Sequence, residues 1–213
     1  MTYPTHRQYA ISFAFLAAML VHKLSISQIN YYLVLLIVLQ MAKYGGTFPD
    51  VDHTWQNVKE KTVPNWIINK IIHLTGGKHR AWQTHSIDIL AVFTLGCIVI
   101  PKMLYERQYI TLVNKEVLSI ILIGFCAGWI SHLLADMMTS AGVRLFFWNK
   151  KIIIKLVPKQ LFGLRFNTGN EWEEFVFKIV RIINMFLGTL SIAYPFLTDP
   201  EFIQKIVKYT III

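Results

Sequence analysis

Charge is scarce in this chain. Asp, Glu, Lys and Arg together make up 15% of its 213 residues, whereas a soluble domain carries about 25%. Hydrophobic residues reach 54% and the mean hydropathy is +0.47, so the shortage excludes an ordinary soluble domain and points to a membrane protein. Cysteine is nearly absent too. Cys97 and Cys126 are the two in the chain, and both fall in apolar runs. That excludes a disulfide framework or a thiolate metal site and leaves two small buried hydrophobes. No Gly-x-Ser-x-Gly elbow occurs, and no Gly-rich phosphate loop ending in Lys-Ser or Lys-Thr. A serine hydrolase and a nucleotide-driven pump therefore have no support. No internal repeat or low-complexity linker divides the sequence, so residues 1–213 read as one integral-membrane domain.

What is present is a series of apolar runs near the length of about 20 residues that a bilayer requires. Five candidate spans cover residues 9–26, 29–46, 86–104, 117–139 and 175–197. The first is the weakest, with His22 and Lys23 near its end. It also lacks a small-x-small cleavage site, so it reads as an uncleaved span rather than a signal peptide. The fold class expected is all-α, a polytopic membrane bundle. Residues 64–74 combine Trp66, Lys70 and an apolar face and predict an interfacial helix lying on the membrane, or else a short helix packed on the bundle. His73 belongs to its polar face. Ile152 to Ile154 are β-branched and suit a short strand or hairpin.

Acidic residues are few, 12 against 21 basic ones, and the net charge is +9. In a membrane protein, anionic headgroups and the positive-inside bias account for this without nucleic acid. Counting spans from the N-terminus assigns each connecting segment to a side. Lys and Arg on the N-terminal side outnumber those on the other by about two to one, which places the N-terminus in the cytoplasm and the C-terminus outside.

The same count puts every chemistry-bearing cluster on that cytoplasmic side. Ionisable groups beside apolar spans are costly to keep and are functional candidates by default. His132 and Asp136, four residues apart on a helix, share one face and can hold one metal, or else form a buried hydrogen bond that locks helices. Pro49 ends the second span. Beyond it Asp50 and Asp52 point to one side if the chain is extended, or else cap the next helix. His53 beside them reads as a supporting residue. His79, Arg80, Thr84 and His85 form the third cluster, with Thr84 a candidate N-cap of the third span and Arg80 a phosphate clamp or an interface anchor. His6 and Glu173, each just before a span, complete the ring, with Glu171 and Glu174 as alternatives to Glu173. The candidate metal ligands are thus His6, Asp50, Asp52, His79, His85, His132, Asp136 and Glu173. The candidate catalytic residues are Asp50 or Asp52 as base and Arg80 on a phosphate oxygen. So many N and O donors exceed what one tetrahedral zinc needs and suit two or three zinc ions, with manganese or magnesium as alternatives.

Three stretches carry a resemblance: Phe48-Pro49-Asp50-Val51-Asp52-His53, Lys78-His79-Arg80-Ala81-Trp82-Gln83-Thr84-His85-Ser86, and the run from Ser131-His132 through Asp136 to Val143. In order, spacing and flanking spans they resemble the YdjM-like family of membrane-bound, metal-dependent hydrolases. Ala81-Trp82-Gln83 departs from the family's usual Gly-aromatic-Thr pattern without touching a proposed ligand. A weaker likeness, on His6, Asp50, His85, His132, Asp136 and Glu173, is to the all-helical zinc phospholipase C and nuclease superfamily, although the second His-x-x-x-acid pair of those enzymes is absent. The resemblances imply a hydrolase using a metal-activated water on a phospholipid or lipid phosphate, with basic residues from Lys150 to Lys159 holding anionic headgroups. A membrane-tethered nuclease and a non-enzymatic metal-stabilised protein or transporter are the other readings. Carriers place their sites near the midplane, not at one face.

Overall fold

In the computed structural model the described residues are 1–149, 151–156, 169 and 171–200. Among them are six α-helices: α1 (Tyr3–Lys23), α2 (Tyr31–Gly45), α3 (Val63–Leu74), α4 (Ile87–Glu106), α5 (Leu112–Met137) and α6 (Glu171–Thr198). A 3₁₀ turn, Phe48–Asp52, continues α2, and Val143–Arg144 (β1) pairs antiparallel with Ile153–Ile154 (β2). The helix starts follow local chemistry. Asn30, Thr62 and Thr111 each accept a hydrogen bond from a backbone N–H two or three residues on, capping α2, α3 and α5. The hairpin expected around Ile152 to Ile154 is the β1–β2 pair.

The all-α bundle is as expected, with one refinement. Tyr31–Asp52, α4, α5 and α6 are each long and apolar enough to cross a membrane. The first helix is 21 residues long but is not among them, because Thr5, His6, Arg7, Gln8, Ser12, His22 and Lys23 dilute its apolar run. It packs instead against α2, α5 and α6.

At the centre, α2 and α5 approach backbone to backbone. A Cβ added to Gly45 would lie 2.1 Å from the Phe125 carbonyl oxygen, and one on Gly128 2.1 Å from that of Ala42. Gly124 and Gly128 are a small-x-x-x-small pair. Such pairs drive helix association in lipid, where apolar burial between helices gains little. Ala10, Ala14 and Ala18 line the buried face of α1 at the same spacing. The outer helix α6 is tied in by polar contacts instead: Ser12 Oγ donates to Asn184 Oδ1 at 2.6 Å, and Tyr31 Oη meets Ser191 Oγ at 2.7 Å.

The helix α3 is inverted relative to a soluble protein. Asn65, Asn69 and Ile72 face inward, while Val63, Trp66, Ile67, Ile71 and Leu74 are exposed on one stripe. Its position is set by hydrogen bonds, from Tyr44 Oη to Asn65 Oδ1 and from Asn69 Nδ2 to the carbonyl of Val51 at 2.6 Å. An outward apolar stripe beside the end of a spanning helix is the arrangement of an interfacial helix.

Substitution of Gly128 by Ala should cost about 3 kcal/mol or more, because the added methyl meets backbone that cannot move aside. The thermal midpoint in nanodiscs should fall and the monodisperse peak should broaden. Gly96→Ala, where the nearest atom is 3.7 Å away, should leave both unchanged. Equal behaviour of the two variants would contradict the close α2–α5 packing.

Candidate metal centre

The alternating course of the helices brings the start of α1, the end of α2, the start of α4, the end of α5 and the start of α6 to one end of the bundle. His6, Asp50, His85, His132, Asp136 and Glu173 are therefore neighbours there despite their distance in sequence.

The innermost set is His6, His85, His132 and Asp136, all buried. His132 Nδ1 lies 2.8 Å from the carbonyl oxygen of Gly46, and His85 Nδ1 lies 3.0 Å from Asp52 Oδ2. Neither oxygen has a proton to give, so both Nδ1 atoms donate and each Nε2 is left as the coordinating nitrogen. The two Nε2 atoms face each other at 3.3 Å. Two lone pairs at that distance repel unless a cation, a proton or a metal, lies between them. His6 stacks on His132, with ring centroids 3.7 Å apart. Its Nε2 is 3.6 Å from Asp136 Oδ1, and its buried Nδ1 has no hydrogen-bond partner among the described residues. Asp136 Oδ2 lies 3.7 Å from His85 Nε2 and 3.8 Å from His132 Nε2. A tetrahedral ion with bonds of about 2.0–2.1 Å sets its ligands about 3.4 Å apart. His6, His132 and Asp136, and His85 with His132, thus present imidazole and carboxylate donors of the kind a zinc-type site uses, at separations near that spacing.

Three groups of side chains could hold a metal ion: His6, His132 and Asp136; Asp50, His85 and His132; and Asp50, His53 and His79. His132 has a single coordinating nitrogen, and the first two groups share it. Asp50 has two oxygens and can belong to both the inner and the outer group. Its Oδ1 is 3.9 Å from both His132 Nε2 and His53 Nε2. The outer group is more open: the His79 side chain is 47% exposed, and its ring stacks on His53 at 3.7 Å.

Two proposed ligands, Asp52 and Glu173, belong to none of these three groups. Asp52 is fully buried, and both its oxygens are engaged. Oδ1 meets His79 Nδ1 at 3.2 Å, while Oδ2 accepts from His85 Nδ1, the Ala81 amide at 2.7 Å and the Thr84 hydroxyl at 3.0 Å. Phe48–Asp52 is a 3₁₀ turn rather than an extended segment, so Asp50 and Asp52 do not point to one side. Asp52 orients His85 and His79, the role carboxylates take behind metal-bound imidazoles. Thr84 serves Asp52 and does not cap α4, whose N-cap is Ser86. Glu173 accepts from the amide and hydroxyl of Thr2 and from the amide of Gly169. It ties α6 to the start of α1 and joins none of the three metal groups.

Arg80 has the left-handed φ of +61°, which an L residue adopts at a steric cost and usually where function requires it. Its guanidinium donates to the Gly142 carbonyl at 2.9 Å and to Asp136 Oδ2 at 3.2 Å, and the backbone amine of Met1 reaches Asp136 Oδ1 at 3.0 Å. Of the basic segment 150–159, Lys155 Nζ donates to the Ser140 carbonyl, and Lys150 and Lys159 lie outside the described residues.

A cavity of about 380 Å³ opens over the site, lined by Tyr3, His6, Asp50, His53, Gln56, Asn57, Lys59, His79, Arg80 and Asp136 among others. A second cavity, of about 430 Å³, lies beside Glu173 and contains no histidine. The sequence pattern gave His53 a supporting role and passed over the other features here. His53 is a full member of the outer group; Gln56, Asn57 and Lys59 line the cavity; and Asn69 holds the His53 carbonyl at 2.8 Å. A His directly after Asp-x-Asp was the available signal for the first. Nothing local marked the others.

Burial disfavours the His85 imidazolium, but Asp52, by charge and hydrogen bond, then Asp136 and Asp50, outweigh it and hold its pKa above the ordinary 6.5. Burial and the neighbouring His79 push His53 below its ordinary value, against the pull of Asp50 and Asp52. Without metal, His85 therefore holds its proton to higher pH than a free imidazole does, and an incoming cation competes with that proton. Zinc affinity should rise with pH from 6.5 up to the raised pKa of His85 and flatten above it; a pH-independent affinity by calorimetry would contradict this geometry. Asp52→Asn should weaken metal binding by about 10–100-fold, as loss of an orienting partner does, while Asp136→Asn should abolish it. Equal losses in the two variants would make Asp52 a ligand after all.

The comparisons with known proteins agree with the architecture. No curated protein and no solved structure matches the chain. The model of the YdjM inner membrane protein family matches residues 1–196, nearly its whole length, and a match of that extent makes the chain a member of that family.

Proposed function

We propose that this protein is a membrane-embedded, metal-dependent phosphoesterase acting on a phospholipid or lipid phosphate at the cytoplasmic face. One observation carries the reading: buried imidazole nitrogens and carboxylates converge beside a cavity whose lining joins His6, His53, His79, Asp50 and Asp136 with Lys59 and Arg80. Two zinc ions fit the donor inventory, an inner one at His6, His85, His132 and Asp136 and an outer one at Asp50, His53 and His79. When bound, such ions polarise a phosphoryl oxygen and lower the pKa of water towards neutrality.

The remaining work falls to side chains. Asp50 uses Oδ1 toward the histidines, which leaves Oδ2 to take the proton of the attacking water. Asp52 keeps His85 and His79 in the coordinating tautomer. Arg80 keeps three of its five donors after Asp136 and Gly142, enough to hold a phosphate oxygen. A site at the end of the spans lets a lipid enter sideways with its headgroup at the histidines, and the apolar stripe of α3 offers a surface level with the acyl chains. The excess of Lys and Arg on the side of the N-terminus supports the cytoplasmic orientation.

Purified protein in nanodiscs should hold about two zinc or manganese ions per chain and release phosphate or a phosphorylated headgroup from lipid substrates. His132→Ala should lose metal and activity while still inserting in the membrane. Full metal occupancy in His132→Ala, or metal without hydrolysis of any lipid phosphate, would sink the assignment.

A further inference from the structure

The phosphoesterase reading leaves the headgroup open, and the cavity wall narrows it. Beyond the histidines and carboxylates, the lining consists of Lys59, Arg80, Gln56, Asn57, Tyr3 and Met1, whose amine is paired with Asp136. Lys59 makes no ion pair among the described residues, and Gln56, Asn57 and Lys59 are all exposed to the cavity side of the loop after His53. The carboxylates that reach the cavity, Asp50 and Asp136, already face imidazoles or Arg80.

An amine headgroup needs either a free carboxylate or an aromatic face. Among the described lining residues Tyr3 is the one phenyl ring, and its face is covered by the Arg7 guanidinium, 5.7 Å from the ring centroid. Its hydroxyl donates to Glu60 Oε1 at 3.0 Å, and Glu60 itself is not among the residues that line the cavity. A choline or ethanolamine group would therefore enter a cavity whose unpaired charge is positive. A hydroxyl-bearing group would instead find the amide donors and acceptors of Gln56 and Asn57. At about 380 Å³ the space lies at the small end of ligand cavities and suits a headgroup without its chains.

We propose that the cavity selects a phosphate carrying a polyol, of the phosphoglycerol type, over zwitterionic amine headgroups, and that Lys59, with Gln56 and Asn57, determines that choice. This rests on the phosphoester reading of the site. The shared ligand chemistry is a polyol phosphate, whether on a lipid or free in solution. The exposed stripe of α3, whose Asn69 is bonded to the carbonyls of Val51 and His53 at the cavity floor, favours the lipid.

The test is binding to the zinc-loaded full chain in nanodiscs, with sn-glycerol 3-phosphate against phosphocholine, and phosphatidylglycerol against phosphatidylcholine. The polyol member of each pair should bind about tenfold tighter. Lys59→Ala should remove most of that preference with zinc content unchanged, and Lys102→Ala, at the other end of the bundle, should keep it. A preference for the lipid pair that soluble glycerol phosphate cannot compete away assigns the lipid source; the converse assigns a soluble phosphate. Equal affinities, or a preference that survives in Lys59→Ala, would overturn the proposal. Selective binding with no hydrolysis of any lipid sinks only the phosphoesterase reading, whereas hydrolysis indifferent to headgroup sinks only this one.

Discussion

The close approach of α2 and α5 is the constraint on which the rest depends. Gly45, Gly124 and Gly128 let two backbones meet where side chains would hold them apart. As a consequence, the carbonyl of Gly46, freed at the end of α2, arrives within 2.8 Å of His132 Nδ1. That one contact fixes the tautomer of a fully buried histidine and turns its Nε2 towards His85, Asp136 and Asp50. In lipid such packing is a question of distance rather than of water release. A single methyl group at the contact therefore bears on both helix association and ligand geometry.

Around that contact, charge is arranged in two layers. Asp52 spends both oxygens on orientation, holding His85, His79, Thr84 and the Ala81 amide. Asp50 turns Oδ1 to imidazole nitrogens, and Asp136 lies among three imidazoles while its oxygens also meet the Met1 amine and Arg80. The division follows from backbone shape: in a 3₁₀ turn, residues two apart do not share a side, so Asp50 stays at the cavity and Asp52 turns inward. Arg80, in its left-handed conformation, bridges the inner carboxylate to the loop at Gly142, joining the third cluster to the start of the hairpin.

The surface repeats the logic of the interior with the sign reversed. The outer faces of α4 and α6 are apolar, and α3 turns asparagines inward and Trp66, Ile67 and Ile71 outward. A helix so built is unstable in water and stable at a lipid interface. Because Asn69 is bonded to the loop that carries Asp50 and His53, the seating of α3 and the shape of the outer group are mechanically linked.

Span lengths, the scarcity of charge and the turn at Pro49 determined the membrane class, the all-α architecture and the gathering of the clusters at one end, because alternation of spans is a counting argument that needs no coordinates. His132 and Asp136 were legible as a pair because helical spacing is local. The sequence could not decide that α1 is too polar to join the apolar spans on the same terms. Nor could it show that Asp52 and Glu173 are engaged by hydrogen bonds outside the three candidate groups, or that His53 belongs to one of them. Those assignments depend on which hydrogen bonds a carboxylate has left, and its partners come from 27 and 32 residues away for Asp52 and from 171 for Glu173. Only the tertiary structure brings such partners within reach, so only it could separate a carboxylate that faces the candidate groups from one held by other hydrogen bonds.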